Sequence, residues 1–124
     1  MQQVLLIDDD LVGRRSVLAL LKRAEITAMT ASTGAEGLKM IYLYHKDIMF
    51  VLLDIGLPDQ NGFEIAQAVR ADPFMIDIPF VVITGHRKPD IAKQAALLNI
   101  EHILYKPVSY AQISAIVERF RHDA

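Results

Sequence analysis

The chain has 124 residues, the size of one ordinary domain, and is long enough to bury most of its apolar surface without disulfides or structural metals. We therefore expect one domain over residues 1–124. Its 13 basic and 15 acidic residues give a formal net charge of −2, which argues against a nucleic-acid-binding surface. The absence of cysteine excludes disulfides and thiol chemistry and agrees with a cytoplasmic location. No apolar run approaches the roughly 20 residues of a membrane span, so no membrane contact is expected.

The first half of the chain alternates strand and helix patterns. The apolar run at residues 4–7 predicts a buried strand, and the helical stripe that follows it contains Val17, Leu18, Leu21 and Ala24. Residues 26–31 form a weaker second strand pattern. Thr33 and Glu36 have the spacing of a capping box, which predicts the start of a helix whose apolar face holds Leu38, Ile41 and Tyr42.

The second half continues this alternation. Residues 50–53 are four consecutive large apolar residues, which predict a strand buried on both faces. The following loop contains Asn61 and Gly62, a pair that can adopt positive φ. Strand patterns recur at residues 80–83 and 103–105. Three apolar helical stripes lie between or after these strand patterns. The first contains Phe63, Ala66 and Val69, the second Ile91, Ala95 and Leu98, and the third Ile113, Ile116, Val117 and Phe120. Five strand–helix pairs predict an α/β fold with a parallel sheet between two helical layers.

Polar side chains follow four of these predicted strands at the point where each strand ends. Asp8 and Asp9 follow the first strand, Asp54 follows the third, Thr84 the fourth and Lys106 the fifth. Each residue alone has an ordinary explanation, as a helix start, a cap or a surface charge. Because parallel strands end at the same edge of a sheet, where ligands of such sheets bind, we expect these groups to converge.

The expected cluster has a definite chemistry. Carboxylates without nitrogen or sulfur ligands suit Mg²⁺, which prefers oxygen and usually binds one or two carboxylates in proteins. An ammonium and a hydroxyl opposite a metal-bound carboxylate are typical of sites that stabilise a phosphoryl group. Asp8, Asp9 and Asp54 are thus predicted metal ligands, with Asp54 as the nucleophile toward phosphorus.

The order of these motifs resembles that of a response-regulator receiver domain over essentially the whole chain. The matching segments are Ile7-Asp8-Asp9, Leu53-Asp54-Ile55-Gly56-Leu57-Pro58, Asn61-Gly62, Ile83-Thr84-Gly85 and Tyr105-Lys106-Pro107. The resemblance implies a flavodoxin-like (βα)5 three-layer sandwich with a five-stranded parallel sheet in the order 2-1-3-4-5. It also implies a signalling switch of a two-component phosphorelay rather than an enzyme, with self-phosphorylation and self-dephosphorylation chemistry of its own.

The resemblance assigns roles to individual residues. Asp54 would accept a phosphoryl group from a phosphohistidine, while Asp8 and Asp9 would hold Mg²⁺ together with the backbone carbonyl of Gly56. Lys106 would pair with the phosphoryl group and precede a cis peptide bond to Pro107. Thr84 would donate a hydrogen bond to a phosphoryl oxygen and draw the following loop inward. The resemblance thus makes Asp54 the expected phosphoacceptor and Lys106 and Thr84 the expected phosphoryl contacts. The expected metal ligands are Asp8, Asp9, Asp54 and Gly56.

The resemblance also implies partners. They are a sensor histidine kinase or a histidine phosphotransfer protein as the donor, and an effector protein or a fused output domain as the receiver of the signal. Dimerisation on phosphorylation, through the face formed by the fourth helix, fifth strand and fifth helix, is a further expectation.

The chain departs from the family pattern in a few places. Ile103 stands three residues before the lysine, where the family has an aromatic residue that swings inward during switching. Tyr105 lies on the same face of the predicted strand and is a candidate substitute, although a packing role is the simpler interpretation. Gly56 and His86 occupy positions that govern access to the phosphoryl group in the family, so His86 is a candidate for tuning hydrolysis.

Two other functions compete with the receiver interpretation. A phosphatase of the haloacid-dehalogenase type also uses an aspartate nucleophile and Mg²⁺, but it needs a second aspartate two residues later, where this chain has Gly56. A pseudo-receiver would keep the fold as an interaction module without phosphorylation. The presence of both Asp54 and Lys106 argues against that interpretation.

Overall fold

Strands and helices alternate along the chain in the computed structural model, which describes residues 2–57, 59–85 and 87–123. The strands are β1 (Gln3–Ile7), β2 (Ala28–Ala31), β3 (Ile48–Asp54), β4 (Phe80–Thr84) and β5 (His102–Tyr105). The helices are α1 (Leu11–Arg23), α2 (Gly34–Tyr44), α3 (Gly62–Arg70), α4 (Pro89–Leu97) and α5 (Tyr110–Asp123). A single 3₁₀ turn, His45–Asp47, joins α2 to β3.

All five strands form one parallel sheet in the order β2-β1-β3-β4-β5. This confirms the predicted fold class and strand order. β3 lies at the centre, and each of its seven residues is buried, as its continuous apolar sequence predicts. None of the helices within the described ranges combines the length and the apolar character needed to cross a bilayer.

Each face of the sheet carries its own apolar core, because side chains alternate along every strand. Leu5 and Ile7 of β1 point to one face, where α2, α3 and α4 pack, and Val4 and Leu6 point to the other, where α1 and α5 pack. The predicted helical stripes supply these layers. Ile41, Phe63, Ile91 and Ala95 belong to the first core, and Val17, Leu21, Ile113 and Val117 to the second. The result is the expected three-layer sandwich.

The second strand is shorter than predicted because the end of α1 uses the residues before it. Glu25 has a φ of 61°, and the amide of Ile26 donates to the carbonyl of Leu21 while that of Glu25 donates to Lys22. These two bonds form a Schellman motif that closes the helix. β2 therefore begins at Ala28 and not at residue 26.

Two local expectations were wrong. Tyr42 is 48% exposed, so the buried face of α2 is formed by Gly34, Gly37 and Ile41 without it. Asn61 has a φ of −69°, and no described glycine has a positive φ. Asn61 is instead the N-cap of α3, in a complete capping box with Glu64.

The capping box predicted at the start of α2 is half formed. The Thr33 side chain accepts from the Glu36 amide, but the Glu36 carboxylate lies near the Ser32 hydroxyl.

Gly62 is required by close packing of the backbone. A Cβ atom at this position would lie 2.7 Å from the carbonyl oxygen of Asp54 and 2.7 Å from the Cα of Ile55, and neither backbone atom can rotate away. Gly62 also donates its amide to the carbonyl of Ile55. The start of α3 is thus pressed against the end of β3, which fixes the segment that follows Asp54.

We predict that Gly62→Ala lowers the free energy of unfolding by about 1 to 3 kcal/mol, the usual cost of overpacking. Gly85→Ala is the matched control. A Cβ at Gly85 would meet nothing within 4 Å, so this variant should be neutral or slightly stabilising. Urea unfolding followed by far-ultraviolet circular dichroism measures both values. Equal stability of the two variants would show that the close approach at Gly62 is not restrictive.

Candidate functional site

The strand register brings the predicted site residues to one edge of the sheet. Ile7 pairs with Leu53, so Asp8 and Asp54, which follow them, end two adjacent strands at the same level. Thr84, the last residue of β4, pairs with Tyr105, which Lys106 follows. The sequence-predicted residues therefore share one end of the domain.

Three carboxylates form the centre of this edge. Asp8, Asp9 and Asp54 each offer an oxygen within 4.8 Å of the others. Asp8 is fully buried and Asp54 is 8% exposed, whereas Asp9 faces solvent. Backbone amides hold the two buried groups, since Asp8 Oδ1 accepts from the amide of Asp10 at 2.9 Å. Asp54 Oδ1 accepts from the amide of Gly56, also at 2.9 Å.

Lys106 lies between the two buried carboxylates. Its Nζ donates to Asp54 Oδ2 at 3.1 Å and forms an ion pair with Asp8 Oδ2 at 3.3 Å. The amide of Lys106 donates to the carbonyl of Thr84 at 2.8 Å, which ties the loop after β5 to the end of β4. The peptide bond between Lys106 and Pro107 is cis, as predicted. One ammonium therefore serves both buried acids.

The charges of the site are not balanced. Burial raises the pKa of Asp8, and the nearby Asp54 carboxylate adds to that rise, although the Asp10 amide and the Lys106 ammonium lower it. Burial also lowers the pKa of Lys106, but the carboxylates of Asp54 and Asp8 outweigh it, so the pKa of Lys106 lies above its ordinary value. Lys106 therefore stays charged, and the three carboxylates outnumber the one ammonium that contacts them.

The donor set fits a hard divalent cation. Asp8 Oδ2 is buried and forms an ion pair with Lys106, but it accepts no hydrogen bond from the described part of the chain. This oxygen can therefore bind a further cation. The exposed Asp9 carboxylate leaves space for water molecules, which Mg²⁺ retains when it binds to proteins. Asp8, Asp9 and Asp54 are thus the residues that could hold the metal. Gly56 lies beside them with its amide on Asp54.

Sequence reasoning missed some residues that support the site. The Nη1 of Arg14 on α1 donates to the backbone carbonyl of Asp8 at 2.9 Å. Both carboxylate oxygens of Asp59 accept hydrogen bonds from the first turn of α2. No pattern in the sequence indicates either contact, because each joins segments whose relative position is set by the sheet.

The residues at the departures from the family pattern lie near β5. Ile103 is half-buried against the core formed with α2, α3 and α4. Tyr105 is also half-buried, and the guanidinium of Arg87 lies 4.2 Å from the centre of its ring. Tyr105 is therefore packed beneath the loop after β4. His86 and Pro58 lie outside the described residues.

Comparison with known proteins finds response regulators. The two-component response regulator ORR3 of Oryza sativa is 24% identical over 116 residues, which are 94% of this chain and 88% of that protein. The cell cycle response regulator CtrA of Brucella ovis is 29% identical over 126 positions, and the match covers 98% of this chain but 53% of CtrA. The chain thus spans about half the length of CtrA.

A solved structure shows the same architecture. The crystal structure of a two-component response regulator from Legionella pneumophila is 26% identical and superposes with a TM-score of 0.87, over 98% of this chain and 99% of the other. The family model described as the response regulator receiver domain matches residues 4–118. The chain therefore belongs to the response regulator receiver domains, which are the switch domains of two-component signalling.

Proposed function

We propose that Asp54 is the phosphoacceptor of this domain and that its donor is a phosphohistidine on a sensor histidine kinase or a histidine phosphotransfer protein. The observation that supports this most directly is the placement of the Asp54 carboxylate. It ends the central strand, its Oδ2 is paired with Lys106, and it shares a compact cluster with two further carboxylates. The site thus combines a nucleophile with groups suited to a phosphoryl group.

The residues around Asp54 prepare it for nucleophilic attack. The amide of Gly56 and the ammonium of Lys106 each hold one of its oxygens, so the carboxylate has a fixed orientation. In the proposed step an oxygen of Asp54 forms a bond to phosphorus while the bond between phosphorus and the imidazole nitrogen breaks, and that electron pair stays on the imidazole. The product is an acyl phosphate, which adds negative charge to the edge of the sheet.

The added charge must be offset, since carboxylates already outnumber the ammonium at the site. We propose that Asp8, Asp9 and Asp54 hold Mg²⁺, together with the backbone carbonyl of Gly56. When bound, Mg²⁺ neutralises charge on the phosphoryl oxygens. Lys106 provides the second positive group, and the Thr84 hydroxyl donates to a phosphoryl oxygen in the proposed state.

The proposed switch passes through the ends of β4 and β5. Lys106 and Thr84 are already joined through their backbones, and Arg87 of the loop after β4 covers the ring of Tyr105 on β5. A movement of Thr84 toward the phosphoryl group therefore alters the contact between that loop and β5. An effector protein or a fused output domain would recognise the change. A switching role for Tyr105, in place of the aromatic residue that the family has at position 103, stays a prediction. The cytoplasmic location also stays a prediction.

We predict that incubation with Mg²⁺ and acetyl phosphate adds one phosphoryl mass to the protein and that Asp54→Asn abolishes the adduct. Chelation of Mg²⁺ should abolish it too, because the negative charge at the site would then be uncompensated. Intact-mass spectrometry measures the adduct. Asp90→Asn is the control, because this carboxylate lies exposed on α4 and should leave the adduct unchanged.

Failure to form an adduct with either acetyl phosphate or a phosphohistidine donor would contradict the proposed function and favour a pseudo-receiver. Continuous release of phosphate from small phosphomonoesters would favour a phosphatase instead. The position two residues after Asp54 is a glycine, which has no side chain to act as the acid and base of such an enzyme.

We predict that Asp8→Asn stabilises the metal-free protein at pH 7. Because the folded-state pKa of Asp8 is raised, chiefly by burial, its ionisation opposes folding. This cost is absent below the ordinary carboxyl pKa and complete above the folded-state pKa. The difference between the variant and the wild type should therefore disappear as the pH falls to about 4. Lys106 keeps Asp54 as its partner in the variant.

Thermal unfolding with and without Mg²⁺ measures this effect. Mg²⁺ should raise the melting temperature of the wild type, since a ligand that binds only the folded state stabilises it, and should raise that of Asp8→Asn much less. An equal response of the two proteins to Mg²⁺ would remove Asp8 from the proposed metal site. A variant less stable than the metal-free wild type at pH 7 would show that ionised Asp8 does not oppose folding.

We predict that the domain dimerises when the phosphoryl mimic beryllofluoride binds with Mg²⁺. Sedimentation velocity with and without the mimic measures the change in mass. An unchanged sedimentation coefficient at saturating mimic would contradict the prediction.

A further inference from the structure

Asp59 lies in the loop between β3 and α3, five residues after the proposed phosphoacceptor, but its contacts are with a different part of the fold. Its Oδ1 accepts from the amide of Gly34 at 2.8 Å, and its Oδ2 accepts from the amide of Ala35 at 2.9 Å. Both amides belong to the first turn of α2. One carboxylate therefore joins two segments that are 24 residues apart or more.

These contacts complete the N-terminus of α2. The amides that precede the first bond of a helix have no acceptor within it and need one from elsewhere. The side chain of the N-cap Thr33 accepts from the amide of Glu36, at 3.1 Å, and the Thr33 carbonyl accepts from the amide of Gly37. Asp59 supplies the acceptors for Gly34 and Ala35, and the positive end of the helix dipole favours its negative charge. These bonds are also the main reason that the pKa of Asp59 is lowered.

The side chain of the next residue strengthens the contact. Gln60 lies against Gly34 so closely that a Cβ atom at Gly34 would be 2.6 Å from the Gln60 Cγ. The tip of the loop is therefore docked on α2 by two hydrogen bonds and by packing. The base of the loop is closed separately, by a β-bridge between Gly56 and Asn61 and by the bond from the amide of Gly62 to Ile55.

The helix that receives Asp59 is itself fixed to the strand that carries the other carboxylates. Gly37 of α2 packs directly on Ile7, such that a Cβ at Gly37 would lie 2.5 Å from the Ile7 Cδ1. Ile7 immediately precedes Asp8. Contacts therefore connect Ile7, which precedes Asp8, through α2 to Asp59. Asp59 lies three residues after Gly56, whose amide holds Asp54.

We propose that Asp59 is a positioning residue that holds the Gly56 segment of the β3–α3 loop at the carboxylate cluster, and so sets the affinity of the site for a divalent cation. The inference rests on the proposed function in one respect, since it takes the cluster to be a Mg²⁺ site. Asp59 acts only through the loop. Its own oxygens are occupied by the amides of Gly34 and Ala35.

The test compares Asp59→Ala with Thr33→Ala in the whole chain. Both variants remove acceptors from the N-terminus of α2 and should lower the melting temperature, but only Asp59→Ala releases the loop. We expect Asp59→Ala to weaken Mg²⁺ binding, measured by isothermal titration calorimetry, by about tenfold, as is usual when a residue that orients a metal ligand is lost. Thr33→Ala should bind Mg²⁺ as the wild type does.

Two further measurements separate positioning from other effects of the substitution. Asp59 is exposed, so a direct effect of its charge on the cation would be screened by salt, whereas the loss of the tether would not. The ratio of affinities between the wild type and Asp59→Ala should thus persist at high KCl. The amide resonance of Gly56 in the metal-free protein should shift in Asp59→Ala and stay in place in Thr33→Ala.

The inference is overturned if the two variants bind Mg²⁺ equally well, if the difference vanishes at high salt, or if the Gly56 resonance does not respond to Asp59→Ala. Absence of Mg²⁺ binding by the wild type would instead contradict the proposed function. The Gly56 resonance, which needs no metal, would still decide whether Asp59 positions the loop.

Discussion

The contact on which the site depends is the placement of one ammonium between two buried carboxylates. Asp8 and Asp54 lie side by side because they end adjacent parallel strands, and such proximity is unfavourable for two ionised acids. Lys106 reaches both, at 3.3 and 3.1 Å, and its own pKa is raised by them. This arrangement offsets part of the repulsion but leaves negative charge, which a divalent cation can neutralise. The excess of carboxylates, which opposes folding, is therefore what makes the proposed Mg²⁺ site possible.

Apolar packing around the site offsets the free-energy cost of this arrangement. β3 is buried along its whole length, and its only ionisable side chain is the one at its end. The helices on the two faces form separate cores, so apolar side chains cover both faces of the sheet. Backbone amides then orient the carboxylates, through Asp10 and Gly56. The groups need little rearrangement before the proposed transfer, because the strands that carry them are fixed by packing far from the site.

Contacts between loops and helix ends extend this order beyond the strands. The loop after β3 is closed at its base by Gly56 and Asn61 and docked at its tip on α2 through Asp59. The loop after β5 is bound to the end of β4 through the backbone of Lys106. The bonds at the start of α2 thus have two effects. They give the amides of Gly34 and Ala35 their acceptors, and they attach the loop that contains Gly56 to the helix.

The sequence alone determined the alternation of strands and helices, the two-sided burial of the central strand, and the residues at the strand ends, because these follow from local hydrophobic patterns and from the rule that parallel strands end together. Resemblance to the receiver family added the strand order and the cis bond before Pro107, and the structure confirmed both. Only the tertiary structure decided the role of Asn61 as a cap, the length of β2, and the attachment of Arg14 and Asp59. Each of these depends on hydrogen bonds whose partners are chosen by how whole elements pack, and a sequence pattern with the period of one helix or strand carries no information about that choice.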